Sequence, residues 1–249
     1  HRLTTSATEA YEAFDFHRFY QLVHNFCAAD CSAFYFDIMK DCLYADAAAG
    51  DSRLAVQTTL WHILGQLVRL LAPVLVHTAD ETWEVMAAQG LHADKDPAPS
   101  VHMAPWPSPS KEWLDPALAG YWEDLFTIRD DVLRQLEQAR NEKRIRHAYE
   151  AEVSLRVRGP RRSRLASQLD QLPAFFVVSR VTLEEASAAG PALMVGVRTT
   201  EAKKCERCWR VLPSVGRFED HPGLCERCHA VVERMLPRKS GAEAVQGGS

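Results

Sequence analysis

A pair of Cys-x2-Cys repeats near the C-terminus constrains the fold most. Residues 205–228 read CERCWRVLPSVGRFEDHPGLCERC, a C-x2-C-x16-C-x2-C pattern. Its four cysteines are Cys205, Cys208, Cys225 and Cys228. Two such pairs on tight turns bring four thiolates to one tetrahedral ion, and this spacing is typical of zinc sites. We therefore expect a zinc finger at 201–238 whose folding depends on one structural zinc ion. A closed four-thiolate site leaves no position for water, so the metal should not be catalytic.

Three other interpretations of these cysteines remain open. Two disulfides would require an oxidising compartment, which nothing in the sequence indicates. His221 or His229 would serve as a ligand only if one cysteine did not. A redox-active Cys-x-x-Cys would normally sit in a thioredoxin-like βαβ unit, and none precedes this segment. The other cysteines, Cys27, Cys31 and Cys42, are expected to be small buried residues of helices.

Charge is unevenly distributed along the 249 residues, whose net charge is −4. Residues 1–124 carry 7 Lys/Arg and 17 Asp/Glu, whereas residues 125–165 carry 11 and 6. The net charge of −4 for the whole sequence excludes a histone-like polycation. The basic stretch favours an anionic partner that meets part of the surface, although a solvated helix face is the alternative.

The termini and hydropathy indicate a cytoplasmic protein without a membrane partner. No run approaches 18 apolar residues, and the N-terminus has no signal segment. The chain begins at His1 rather than Met, so we expect a piece of a longer protein. We find no phosphate-binding glycine loop, nucleophile elbow or His-Glu-x-x-His motif, and therefore predict no catalytic residue in this chain.

Helical periodicity dominates residues 1–150. One face combines Phe19, Leu22, Val23 and Phe26, and a second combines Phe34, Ile38 and Cys42. Asp51 or Ser52 is the expected N-cap of a longer helix, which Pro73 should kink or end. Its predicted buried stripe is Leu60, Leu64, Leu67, Val68 and Leu71. A further helix should bury Val76, Ala79, Trp83 and Met86. Short polar connections favour an antiparallel bundle.

A proline-rich loop at 96–116 interrupts this pattern before a long basic helix. The loop contains Pro97, Pro99, Pro105, Pro107, Pro109 and Pro116. The helix is expected to bury Tyr121, Leu125, Ile128, Val132, Leu136 and Ala139. Its other face should carry Arg129, Arg134, Arg140, Lys143, Arg144 and Arg146.

The period changes to alternation near residue 152, which predicts a small α+β unit at 151–200. Its expected strands are 153–157, 175–178 and 193–197, with a Gly190–Pro191 turn before the last. Residues 239–249 have little to bury and are expected to be a disordered tail. The predicted fold is thus mainly α: a helical bundle, a small α+β subdomain and a four-cysteine zinc finger.

Basic residues surround the predicted zinc site, and Trp209 directly follows its second cysteine. These cations are Lys203, Lys204, Arg207, Arg210, Arg217 and Arg227. An exposed tryptophan among cations suits RNA, where bases stack and phosphates pair with Lys and Arg. The alternative is that Trp209 is buried as the small core of the zinc segment.

The helical segments closely resemble the anticodon-binding domain of bacterial-type isoleucyl-tRNA synthetases. The similarity is concentrated at residues 11–46, 53–86 and 101–107, and the zinc segment is similar to the C-terminal zinc domain of that family. Together these pieces cover about residues 3–238. The family's HIGH-type and KMSKS-type ATP signatures are absent from this chain. The resemblance implies that ATP and isoleucine would bind a catalytic domain upstream of His1.

The resemblance implies a tRNA-binding part of a class I isoleucine–tRNA ligase that is inactive alone. The expected partner is isoleucine tRNA, with no DNA, and the expected state is a monomer. The tRNA-binding candidates are Arg129, Arg134, Arg140, Lys143, Arg144, Lys203, Lys204, Arg207, Trp209, Arg210 and Arg227. The alternative is a free-standing zinc-finger nucleic-acid-binding module. A DNA glycosylase with a related finger is disfavoured, because those enzymes need an N-terminal proline nucleophile.

Overall fold

The computed structural model describes residues 1–92, 98–187 and 190–235. Within them the first 141 residues are mainly helical: α1 (Arg2–Glu12), α2 (Phe16–Asn25), α3 (Asp37–Ala45), α4 (Asp51–Leu71), α5 (Val76–Ala88) and α6 (Pro116–Asn141). A π-helical segment, Phe26–Phe36, joins α2 directly to α3. The predicted tail at 239–249 and Pro97 of the predicted loop lie outside the described residues.

The helix boundaries follow from caps and prolines. The Asp115 carboxylate accepts a hydrogen bond from the Leu118 amide at 2.9 Å, and Pro116 occupies the first turn of α6. Helix α4 ends at Leu71, as Pro73 predicts. The predicted cap of α4 is wrong by one residue, because Gly50 is the N-cap. Asp51 instead lies in the first turn, where its charge complements the helix dipole.

Helix α4 packs on two sides, which corrects its predicted stripe. Leu70 is buried with Ala7, Ala10, Phe19 and Val23 of α1 and α2, whereas Val68 is buried with Trp83 and Met86 of α5. Of the predicted stripe only Val68 is fully buried, and Leu64 is exposed. A helix between two partners buries two narrow faces instead of one broad face.

A separate core joins α6 to a three-stranded sheet. The strands are β1 (Ala151–Val157), β2 (Arg180–Glu185) and β3 (Leu193–Thr199), in the order β2-β1-β3. Strand β1 is parallel to β2 and antiparallel to β3. The predicted α6 stripe from Leu125 to Ala139 is buried against β1, together with Ile38 of α3. This core therefore links the helices to the sheet.

The predicted strand at 175–178 is wrong. Two short helices, α7 (Pro160–Ala166) and α8 (Leu172–Phe175), connect β1 to β2, and residues 176–178 form the turn after α8. Phe176 and Val178 are fully buried there. Periodicity cannot distinguish a short buried apolar run in a strand from one in a helix or turn. The predicted strands at 153–157 and 193–197 are confirmed.

The C-terminal module consists of β4 (Lys203–Lys204), β5 (Val211–Leu212) and α9 (Glu226–Met235). Strands β4 and β5 pair antiparallel, with Lys204 opposite Val211. Among the described residues, no helix is both long enough and apolar enough to cross a bilayer.

Candidate zinc centre and nucleic-acid interface

The four predicted zinc ligands converge in the C-terminal module. All four cysteines are buried, and their sulfur atoms lie within 4.8 Å of one another. The Sγ atoms of Cys208 and Cys225 are 3.7 Å apart. Tetrahedral coordination with Zn–S bonds of about 2.3 Å places neighbouring sulfurs about 3.8 Å apart. None of the seven cysteines forms a disulfide, and a separation of 3.7 Å between the Cys208 and Cys225 sulfurs is far longer than an S–S bond of about 2.05 Å.

Local hydrogen bonds shape this sulfur cluster. The Cys225 amide donates to the Cys205 sulfur at 3.3 Å, and the Arg207 guanidinium lies 3.6 Å from the Cys228 sulfur. Hydrogen bonds from Cys208 and Cys225 lower the pKa of Cys228 to about 3. Hydrogen bonds with Cys208 and Cys228 raise the pKa of Cys225. Zinc ligands must be thiolates, so binding of one structural zinc ion would release the protons that the cluster still holds.

The module docks on the end of α3 through Arg227. Its guanidinium bonds both carboxylate oxygens of Asp41, at 2.6 and 2.7 Å, and Asp46 at 3.1 Å. The Asp41 side chain is only 7% exposed. Burial lowers the pKa of Arg227, but the hydrogen bonds and charge of Asp41 outweigh it and raise that pKa above its usual value. Arg227 is therefore a charged residue that attaches the module to α3 through Asp41 and Asp46.

Two further arginines hold the module in place. Arg207 donates to the carbonyls of Ala45 and Tyr44 at the end of α3. Arg210 donates to the Ser179 carbonyl at 2.9 Å, and the Ser179 hydroxyl accepts from the Val211 amide at 2.8 Å. Ala45 also packs against the cysteine cluster. The module is thus fastened to both α3 and the turn before β2.

Trp209 faces solvent and is not the core of the module. Its side chain is 62% exposed, which excludes the buried interpretation. The residue has a left-handed φ of 67°, and its amide donates to the Cys205 carbonyl at 2.9 Å. The Lys204 ammonium lies 5.1 Å from the ring centroid. The structure therefore presents an aromatic face and a cation together.

The basic residues of α6 lie in two different environments. Arg129 is half-buried against the rings of Phe34 and Phe175 and donates to the Phe175 carbonyl at 3.2 Å. Its burial lowers its pKa. Arg134 and Arg140 are exposed, each paired with a carboxylate three residues earlier on α6.

Lys143 and Arg144, which were expected on this helix, lie just after its last residue, Asn141. Arg144 bonds Glu142 at 2.6 Å and the Val197 carbonyl at 3.0 Å. Lys143 is exposed, with a left-handed φ of 59°. Within the described ranges, neither Lys143 nor Lys203 has an ion pair or side-chain hydrogen bond.

Comparison with known proteins gives a family for most of the chain. The family described as "Anticodon-binding domain of tRNA ligase" matches residues 1–155. The chain belongs to this anticodon-binding family. A second family, "Zinc finger found in FPG and IleRS", matches residues 202–231 and includes all four cysteines. The zinc interpretation of the sequence is thereby confirmed.

Relatives of this chain include proteins called isoleucine–tRNA ligase. Those of Desulforudis audaxviator and Moorella thermoacetica are 40% identical over 94% of this chain and 26% of their own length. That of Gloeobacter violaceus is 41% identical over 92% of this chain and 23% of its length. The chain thus spans about a quarter of these relatives. The resemblance found in the sequence is confirmed.

Sequence reasoning missed the docking groups Asp41, Asp46 and Ser179. Arg227 lies 186 residues after Asp41, and no local pattern links two such positions. The two carboxylates had appeared only as part of the acidic first half. Their proximity to Arg227 depends on the tertiary fold.

Proposed function

We propose that this chain is the tRNA-binding part of an isoleucine–tRNA ligase, with specificity for isoleucine tRNA. Residues 1–150 would be an antiparallel anticodon-binding bundle of the class I synthetase type. Residues 151–200 would extend it, and residues 201–238 would form the zinc finger. Membership of the anticodon-binding family and the similarity to isoleucine–tRNA ligases over 94% of the chain support this assignment.

The exposed ring of Trp209 carries the proposal of direct RNA contact. A large aromatic side chain that is 62% exposed beside an ammonium group can stack on an unpaired base while the cation meets a phosphate. Trp209 directly follows Cys208 of the sulfur cluster, and its own left-handed backbone conformation sets the direction of the ring. The zinc ion would therefore act indirectly, by fixing the base-stacking residue.

The basic candidate residues differ in how readily their charges can contact RNA. Lys143, Lys203 and Lys204 are exposed and would contact phosphates directly. Arg134, Arg140 and Arg144 have exposed carboxylate partners, and surface pairs worth only about 0–1 kcal/mol can be exchanged for phosphate. The proposed RNA-binding surface would be supported from beneath by four arginines: Arg129, Arg207, Arg210 and Arg227.

Chemistry would take place elsewhere in the whole protein. We propose that ATP and isoleucine bind a part outside this chain, that the chain acts as a cytoplasmic monomer, and that it does not bind DNA. Pyrophosphate exchange with ATP and isoleucine should therefore stay at background for the purified chain. Robust exchange would contradict this division of labour.

Titration of the chain with labelled isoleucine tRNA tests the proposal. Trp209→Ala should weaken binding by about 1–3 kcal/mol, or roughly 5- to 150-fold, with zinc content unchanged. The matched control is Trp209→Phe, which keeps an aromatic face at the same position and should retain most of the affinity. A tRNA with an altered anticodon should bind more weakly. Equal affinity for all RNAs would instead favour a free-standing nucleic-acid-binding module.

A further inference from the structure

A cluster of two histidines and two carboxylates lies beside the zinc centre. The loop before the second cysteine pair contributes Asp220 and His221, and α9 contributes His229 and Glu233. None of them belongs to the four-cysteine cluster. One ligand atom from each of Asp220, His229 and Glu233 lies within 4.8 Å of the others.

The geometry of this cluster is already organised. His229 and Glu233 are four residues apart on α9 and therefore lie on the same face. The His229 Nε2 atom is 2.9 and 3.2 Å from the two Asp220 carboxylate oxygens. The His221 Nε2 atom lies 3.7 Å from a Glu233 oxygen. The four groups thus form two facing imidazole–carboxylate pairs.

The orientation of His229 is fixed by its neighbours. Its ring is stacked on Phe218, with centroids 3.9 Å apart and planes 9° apart. The His221 ring lies 5.8 Å away, nearly edge-on. A metal-binding imidazole needs an orientation fixed by its surroundings, and this stack supplies it.

We propose that Asp220, His229 and Glu233, assisted by His221, bind a second divalent transition-metal ion of the zinc, nickel or cobalt type. Imidazole and carboxylate ligands suit these ions, with bonds of about 2.0–2.2 Å. Side-chain movements of up to about 1.4 Å would bring ligand atoms that now lie within 4.8 Å of one another onto one ion. The carboxylates are about half exposed, so water completes the coordination. The bound ion fastens the loop between the cysteine pairs to α9.

Calorimetry on the full chain tests this site after its cysteine cluster has been loaded with one equivalent of zinc and excess metal removed. Titration with cobalt or nickel should show one further equivalent. The cobalt complex should show d–d absorption without sulfur-to-metal charge transfer, because its ligands are nitrogen and oxygen.

Variants locate the bound ion. His229→Ala would also remove the ring stacked on Phe218, so the exposed carboxylates carry the test. Glu233→Gln and Asp220→Asn should each weaken the second equivalent by about 10- to 100-fold and leave the first zinc in place. The control is His24→Ala, which removes an exposed histidine of α2 and should change nothing.

Three results would overturn the proposal. The first is that no metal binds beyond the cysteine-bound zinc. The second is a second equivalent that both carboxylate variants bind as tightly as the original chain. The third is a cobalt spectrum dominated by sulfur charge transfer, which would mean exchange at the cysteines.

Discussion

Helix α6 and the zinc module are both rich in cations, but the structure employs them differently. On α6, Arg134 and Arg140 lie on the surface and pair with carboxylates one turn away. In the zinc module, Arg207, Arg210 and Arg227 turn inward and bond groups on α3 and before β2. The module leaves its lysines and Trp209 on the outside.

This difference shows that a basic cluster in a sequence combines two physical roles. A guanidinium presents a planar fork of donors that matches a carboxylate or several carbonyls, so arginine suits a partly buried docking contact. An ammonium on a flexible stem remains strongly hydrated and suits exposed phosphate contacts. The count of positive residues alone cannot separate these roles.

Loss of a zinc ligand should have the largest effect, because it should unfold the zinc module and leave the helices folded. Cys225→Ser should abolish metal binding and unfold residues 203–230, because this module has only a small apolar core besides its cysteines. The helices should persist, since α1, α2, α4, α5 and α6 bury apolar cores of their own. Metal analysis and circular dichroism measure both effects. Cys27→Ser is the control and should keep its zinc, whereas collapse of the whole helical signal would contradict this independence.

Loss of the main docking contact should have the next largest effect. Arg227→Ala leaves the buried Asp41 carboxylate without its bidentate partner, which costs several kcal/mol for a fully buried pair. Because Arg227 is 33% exposed, we expect a reduced cost of about 2–3 kcal/mol. Urea denaturation measures this loss. Arg134→Ala, which breaks an exposed pair, should cost about 0.5 kcal/mol or less, and equal costs would remove the distinction between the two regions.

Arg129 should behave as a structural residue although it lies on α6. Arg129→Ala removes the contacts with Phe34 and Phe175 and the hydrogen bond to the Phe175 carbonyl. We expect a loss of about 1–2 kcal/mol of stability. Denaturation and tRNA titration should be performed on the same variant. A loss of tRNA affinity at unchanged stability would place Arg129 among the RNA contacts instead.

Single exposed cations should have the smallest effects, visible mainly in salt dependence. Lys143→Gln should flatten the log–log slope of tRNA affinity against salt by about 0.7 for one lost single-strand phosphate contact. Arg140→Gln should change it less, because Glu137 already neutralises Arg140 in part. Titrations over a range of salt concentrations compare the two variants. A larger change for Arg140 would reverse the proposed order of availability.

Local sequence patterns predicted those features that depend on local spacing. The cysteine spacing predicted the four converging sulfurs, and the 3.6-residue period predicted the buried stripe from Leu125 to Ala139. The alternation in Val153, Leu155 and Val157 predicted β1. Each of these signals requires only one element and one buried face.

Features that depend on several partners could not be predicted in this way. Residues 176–178 are apolar because the turn before β2 is buried, not because they form a strand. Leu64 is exposed because α4 packs on two sides. Arg227 and Asp41 meet across 186 residues, so their pairing follows only from the docking of the module on α3.

The proposed division between the docking arginines Arg207 and Arg227 and the lysines Lys203 and Lys204, proposed to contact RNA, is tested most directly by two double variants. Urea denaturation and the salt slope of tRNA affinity should be measured for Lys203→Gln with Lys204→Gln, and for Arg207→Gln with Arg227→Gln. The lysine pair should flatten the slope by about 1.4, twice the single-contact value. It should lower the free energy of unfolding by no more than about 1 kcal/mol, the value of the exposed Lys204–Trp209 contact. The arginine pair should lower that free energy and leave the slope nearly unchanged. The opposite pattern, with stable arginine variants that lose the salt dependence and lysine variants that keep it, would contradict the account.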